Sequence, residues 1–77
     1  MPTDSPLKAL RLSRNLSVSQ LAMMVGRSRV AVYGWEIGAN RPTRSNLLAV
    51  FDALEATEDE RAAILRWVSL PLQPVAG

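Results

Sequence analysis

The eight residues RVAVYGWE, Arg29 to Glu36, decide the fold. Valines stand at positions 30 and 32, an aromatic follows at Tyr33 and Gly34 breaks the run, so local propensity reads a short strand closed by a turn. Both flanks read as helix. Upstream, Ser17 is a cap for a segment in which Val18, Leu21, Ala22 and Val25 recur at i, i+3, i+4, i+7, the stripe of a two-turn amphipathic helix, and Gly26 stops it. Ser28 offers another cap almost at once, so a new helix starts there and the two short helices cross steeply. A lone strand would find no pairing partner anywhere in the sequence, and its backbone polar groups would go unsatisfied. The stretch is therefore predicted helical, with Val32, Trp35 and Glu36 on its inner face and Arg29, Val30, Tyr33 and Gly34 facing outward.

The same signals recur on either side. Ser5-Pro6 starts a first helix that runs to about Arg14, with Leu7, Leu10 and Arg11 on one face, Asn15 as its left-handed end and Leu16 returning to the core. After Trp35, Gly38 ends the third helix, Asn40 suits a turn, Pro42 blocks continuation and Thr43 caps a fourth helix carrying Leu47, Val50, Phe51 and Leu54. Thr57 and Glu60 fit a capping box, and Glu58, Asp59 and Glu60 suit the positive end of a fifth helix. That helix runs to about Val68 and presents Leu65 and Val68, with Ile64 and Trp67 alongside; prolines then keep Leu70 to Pro74 extended. The expected fold is all-α, with residues 1–69 forming one domain of five helices and residues 70–77 a tail.

With 77 residues the chain fits one small domain, which buries only about 60% of its unfolded surface. It has no Cys, hence no disulfide and no thiolate zinc site, and no His, hence neither the commonest acid–base group nor the commonest neutral metal ligand. No enzyme, metal or cofactor is expected, and the Glu58-Asp59-Glu60 cluster reads as helix capping. No apolar run approaches the ~18 residues of a membrane span, and MPTDSPLK lacks the basic flank and apolar block of a signal peptide, so a cytoplasmic location is expected. Net charge is +2, yet residues 1–47 carry seven cationic side chains against two carboxylates while residues 48–77 carry two against five. A surface facing a polyanion produces such asymmetry, although arginines also serve as solvated helix caps.

Leu10-Arg11, Leu16-Ser17, Leu21-Ala22, Gly26, Ser28-Arg29, Val32, Trp35-Glu36 with Gly38, Asn40-Arg41-Pro42 and Leu47-Leu48 through Leu54 together resemble the Cro/repressor (XRE) type of helix-turn-helix DNA-binding domain, over about Leu7 to Leu54. The resemblance implies a compact, lambda-repressor-like bundle whose second and third helices form the helix-turn-helix. It also implies a pair between Arg11 and Glu36, against the alternative of ordinary surface charges worth ~0–1 kcal/mol. The third helix would enter the major groove, and the base-facing set would be Ser28, Arg29, Val30, Tyr33 and Gly34. Arg29 suits guanine O6 and N7, Val30 a thymine methyl, Tyr33 a base or a phosphate, and Gly34 a close approach of backbone to DNA. Candidate phosphate contacts are Ser17, Ser19, Gln20, Arg27, Asn40, Arg41, Thr43 and Arg44. The chain departs from the family at Val18, where glutamine is frequent, at Arg27, commonly apolar, and at Leu12, Met23 and Met24, which replace polar surface residues.

The resemblance further implies a transcriptional regulator of phage or bacterial type, a homodimeric repressor that is Cro-like, controller-like or an autoregulating antitoxin, bound to double-stranded DNA at a palindromic operator. Trp67, Leu70 and Leu72 could complete the core or form the dimer surface, and the need for paired half-sites favours the dimer. The alternative is a protein-binding module, such as an antitoxin whose main role is masking a partner, with Leu12, Met23, Met24 and the tail as its contact surface.

Overall fold

Every helix begins where a hydroxyl can cap it. The computed structural model describes residues 5–71, and it contains α1 (Pro6–Ser13), α2 (Val18–Val25), α3 (Arg29–Ile37), α4 (Arg44–Ala53) and α5 (Glu58–Val68), with no strand among the described residues. Ser5, Ser17, Ser28, Thr43 and Thr57 each accept the backbone N–H three residues on, which satisfies a donor that the helix itself leaves unpaired. Ser17 with Gln20, and Thr57 with Glu60, close reciprocal capping boxes. Gly26 and Gly38 end α2 and α3 in the left-handed conformation, at φ 70° and 78°. Asn15 and Glu55 take the same conformation just beyond α1 and α4.

RVAVYGWE is helical because the core demands it. The largest fully buried side chains are Leu7, Leu21, Val32, Val50 and Ile64, one from each helix, and Trp35 and Phe51 pack around them. Truncating either buried leucine or Ile64 to alanine costs about 2–5 kcal/mol, several times the propensity penalty of a valine in a helix. Tertiary packing therefore overrides local preference at Val30 and Val32. The α2 helix packs on α3 and α4, while α1 packs on α3 and α5.

One core assignment needs correction. Leu65 is 49% exposed, and Ile64 takes the inner position instead. The inward line of α5 runs through Ile64, Trp67 and Val68 at i, i+3, i+4, so Leu65, about 100° around the helix from Ile64, points to solvent. No described helix is long and apolar enough to cross a membrane.

Candidate nucleic-acid interface

Only Gly26, Arg27 and Ser28 separate α2 from α3. Gly26 reverses the chain, Arg27 N–H returns to Ala22 O at 3.0 Å, and Ser28 opens the next helix. Ala22 is buried beneath this turn, and Val32 and Trp35 fix the inner side of α3. The far end of α3 is held by charge. Arg11 Nε and Nη2 donate to Glu36 Oε2 and Oε1 at 2.6 and 3.0 Å, and Nη1 donates to Leu16 O at 2.7 Å. With side-chain exposures of 7% and 2%, this is a buried bidentate strut rather than a pair of surface charges. Its hydrogen bond to Glu36 raises the Arg11 pKa above the ordinary value, outweighing the burial that acts against the charge.

On the outer side of α3, Ser28, Arg29, Val30 and Tyr33 are exposed, Val30 by 77% and Tyr33 by 55%. Gly34 is not. It is buried, because Ala39 N–H and Asn40 N–H both donate to Gly34 O, at 3.0 and 3.2 Å, and so fold the following loop over it. A Cβ at Gly34 would lie 2.5 Å from Asn40 Nδ2. The missing side chain therefore makes room for Asn40, which corrects the outward placement expected from the helical wheel.

The candidate phosphate contacts are exposed, but several already have work to do. Ser17 Oγ and Gln20 Oε1 accept the capping-box bonds, so the Gln20 amide hydrogens are what that pair can offer an anion. Arg27 Nε donates to Asn46 Oδ1 at 2.9 Å, bracing the turn against α4, and Thr43 Oγ1 accepts from Asn46 N–H. Arg41 Nη2 donates to Leu70 O at 2.9 Å, which draws that guanidinium towards the end of α5. Ser19, Asn40 and Arg44 complete the exposed set.

Charge is segregated more sharply than the sequence halves suggest. Between Ser5 and Phe51 the sole carboxylate is Glu36, which is buried and paired with Arg11. The exposed surface of α1, α2, α3 and all but the end of α4 consequently displays Arg27, Arg29, Arg41 and Arg44 with no carboxylate among them. Such a surface attracts a polyanion. The remaining described carboxylates, Asp52, Glu55, Glu58, Asp59 and Glu60, lie from the end of α4 through the start of α5.

Sequence reasoning missed Arg14. Its Nε donates to Leu54 O at 2.9 Å, Nη2 to Glu55 O at 3.3 Å and to Glu60 Oε1 at 3.0 Å, and Nη1 to Glu60 Oε2 at 3.3 Å. One guanidinium thus gathers the ends of α1, α4 and α5. Backbone carbonyls have no sequence signature, and Glu60 looked fully explained by its capping box. Glu60 is held below its ordinary pKa of 4.5, first by the Thr57 N–H and then by Arg14.

Of the candidate dimer residues, Trp67 is half-buried against the rest of the chain, its Nε1 donating to Trp35 O at 3.4 Å, and Leu70 is exposed. Leu72 lies outside the described residues. Leu12, Met23 and Met24 are exposed as expected.

Two short helices joined by a glycine turn, the second presenting a polar and apolar outer face inside a carboxylate-free surface, define a helix-turn-helix module. The helix-turn-helix domain family model matches residues 6–64, most of the chain, and the protein belongs to that family, in its XRE/Cro-type kind. No curated protein and no solved structure matches the chain.

Proposed function

We propose that the protein is a sequence-specific DNA-binding transcriptional regulator, acting as a homodimeric repressor on a palindromic operator. The observation that carries this reading is the exposed face Ser28, Arg29, Val30 and Tyr33 on α3, set in a surface whose one carboxylate is buried and neutralised. The α3 helix lies in the major groove, where Arg29 bonds bidentately to guanine O6 and N7 and so separates that base from others by about 1–3 kcal/mol. Gln20 and Ser19 at the start of α2, with Arg27, Asn40, Thr43 and Arg44, hold phosphates and set the register without reading sequence. Arg41 contributes charge while one of its nitrogens stays on Leu70 O.

The buried Arg11–Glu36 strut keeps the angle of α3 fixed, so the domain arrives at the groove already shaped. A second copy, joined through Leu70 and the edge of Trp67 at the end of α5, places its own α3 about 34 Å away, one turn of DNA along. Occupancy of a promoter element by this dimer excludes polymerase.

Selection of binding sites from random duplex DNA tests the whole reading. A motif with two inverted half-sites is expected. Arg29→Ala is expected to relax one base position per half-site, whereas Arg44→Ala weakens binding to every sequence and lowers its salt dependence. Failure to enrich any sequence, together with stoichiometric capture of a protein partner, would instead favour a module that masks another protein through Leu12, Met23 and Met24.

A further inference from the structure

The outer face of α3 borders an apolar depression of about 240 Å³. Val18, the first residue of α2, and Val30 and Tyr33 of α3 line it, with Arg29 as the fourth lining residue. Val18 is half-buried and rests on the core, which fixes that wall, while Val30 and Tyr33 stand well out of the protein. The valines have no hydrogen-bonding side-chain group, so whatever enters between them is recognised by its apolar surface. The neighbouring surface carries arginines and no exposed carboxylate, and its complement is a polyanion.

Among base edges in the major groove, one apolar group is available, the methyl on C5 of a pyrimidine. We propose that this depression receives the C5-methyl of a pyrimidine directly beside the guanine held by Arg29, and that it accepts thymine and 5-methylcytosine alike. The proposal rests on the DNA-binding reading above and adds to it the chemical class of the base read next to Arg29. A guanidinium engaged bidentately with guanine presents a planar, weakly hydrated face, and that face can close over the adjacent methyl. Thymine and 5-methylcytosine differ at position 4, an oxygen acceptor in one and an amino donor in the other, and neither valine can distinguish them. Unmethylated cytosine brings no methyl to the valine wall of the depression. Binding then responds to cytosine C5 methylation wherever the site contains a C–G step in that register.

The test uses duplexes of the site selected from random DNA. At each pyrimidine next to a guanine, thymine is replaced in turn by deoxyuridine, which removes only the methyl, by cytosine and by 5-methylcytosine. At one position per half-site, deoxyuridine and cytosine are expected to weaken binding about 3- to 10-fold, while 5-methylcytosine stays within about twofold of thymine. Val30→Ser, an exposed substitution checked for folding by thermal melting, is expected to bring the thymine-to-deoxyuridine ratio close to one. Equal binding of all four duplexes at every such position overturns the proposal while leaving the DNA-binding reading intact, as does a selected site with no pyrimidine beside a guanine. Failure to bind any duplex removes both.

Discussion

Two arginines, Arg11 within α1 and Arg14 at its C-terminal cap, tie that helix to the rest of the molecule in opposite surroundings. Arg11 grips Glu36 at 2.6 Å with side-chain exposures of 7% and 2%, whereas Arg14 meets Glu60 at 3.0 Å with both side chains 31% exposed. The first tie fixes α3, the helix proposed to face DNA, and water and salt have little access to it. The second fixes the acidic helix α5 and stands in solvent, where an ion pair is worth little by itself. Arg14 compensates by donating to the Leu54 and Glu55 carbonyls, bonds that do not depend on a counter-charge. The difference suits the two helices to different demands. On the proposed function α3 reads the groove and must keep its angle under any ionic condition, since DNA binding itself varies steeply with salt.

Breaking the buried tie has the largest expected effect. Glu36→Ala strands the Arg11 cation in the interior, and loss of one partner of a buried pair costs about 3–5 kcal/mol, a large share of the stability of so small a domain. Thermal melts measure this, and a cost no greater than that of Arg14→Ala would mean that burial adds nothing to the Arg11 tie. Replacing both Arg11 and Glu36 with methionine separates stability from the positioning of α3. Most of the lost stability is expected to return, because an apolar pair avoids desolvation. DNA affinity is expected to remain lower, because methionines do not fix the end of α3 as a bidentate strut does.

Breaking the exposed tie is milder. Arg14→Ala is expected to cost about 1 kcal/mol through the lost bond to Leu54 O, and the ionic part of its effect fades as salt rises, since the Debye length falls to about 3 Å at 1 M. The stability loss from Glu36→Ala should change little over the same salt range.

Acid offers a further separation. The Glu60 carboxyl is held below its ordinary value of 4.5, first by the Thr57 N–H and then by Arg14. A depressed carboxyl stabilises the fold above its unfolded value, and that contribution declines as pH falls through the lower folded value. Melts of the parent protein and of Glu60→Gln should therefore differ at neutral pH and converge as pH drops below about 4.5. A difference that stays constant down to pH 3 would mean that the charge on Glu60 contributes nothing.

The two ties also mark where sequence was legible. The five caps were readable because a hydroxyl accepting the N–H three residues on is a local event, and Gly26 and Gly38 were readable because their left-handed turns favour glycine. Arg11 was readable because it falls in the apolar stripe of α1 and Glu36 sits beside core Trp35. Arg14 was not, since the partners that tie it to other helices lie beyond α4 and two of them are carbonyls that any residue supplies. Glu55 ends α4 with a positive φ that its residue type gives no reason to expect. Leu65 and Ile64 are equally apolar, and only the packing of α5 on α1 selects which faces inward. Of the seven α3 residues assigned a side from the sequence, only Gly34 was misplaced, because a helical wheel omits the loop that folds back over the helix.

Gly34 gives the smallest effect on stability and the finest test of the face of α3 proposed to read DNA. In Gly34→Ala the helix gains about 1 kcal/mol of propensity. Against this, the new methyl lies 2.5 Å from Asn40 Nδ2 and displaces it. Since Nδ2 is the free end of an exposed side chain it can swing aside, so the melting temperature should move by only a few degrees in either direction. The consequence for DNA is more telling. With Gly34 under the loop, and Asn40 proposed to hold a phosphate, the variant should bind all sequences more weakly by a similar factor and select an unchanged motif. A change in the selected bases would mean that Gly34 itself meets the groove wall, and that the loop after α3 opens when DNA is bound.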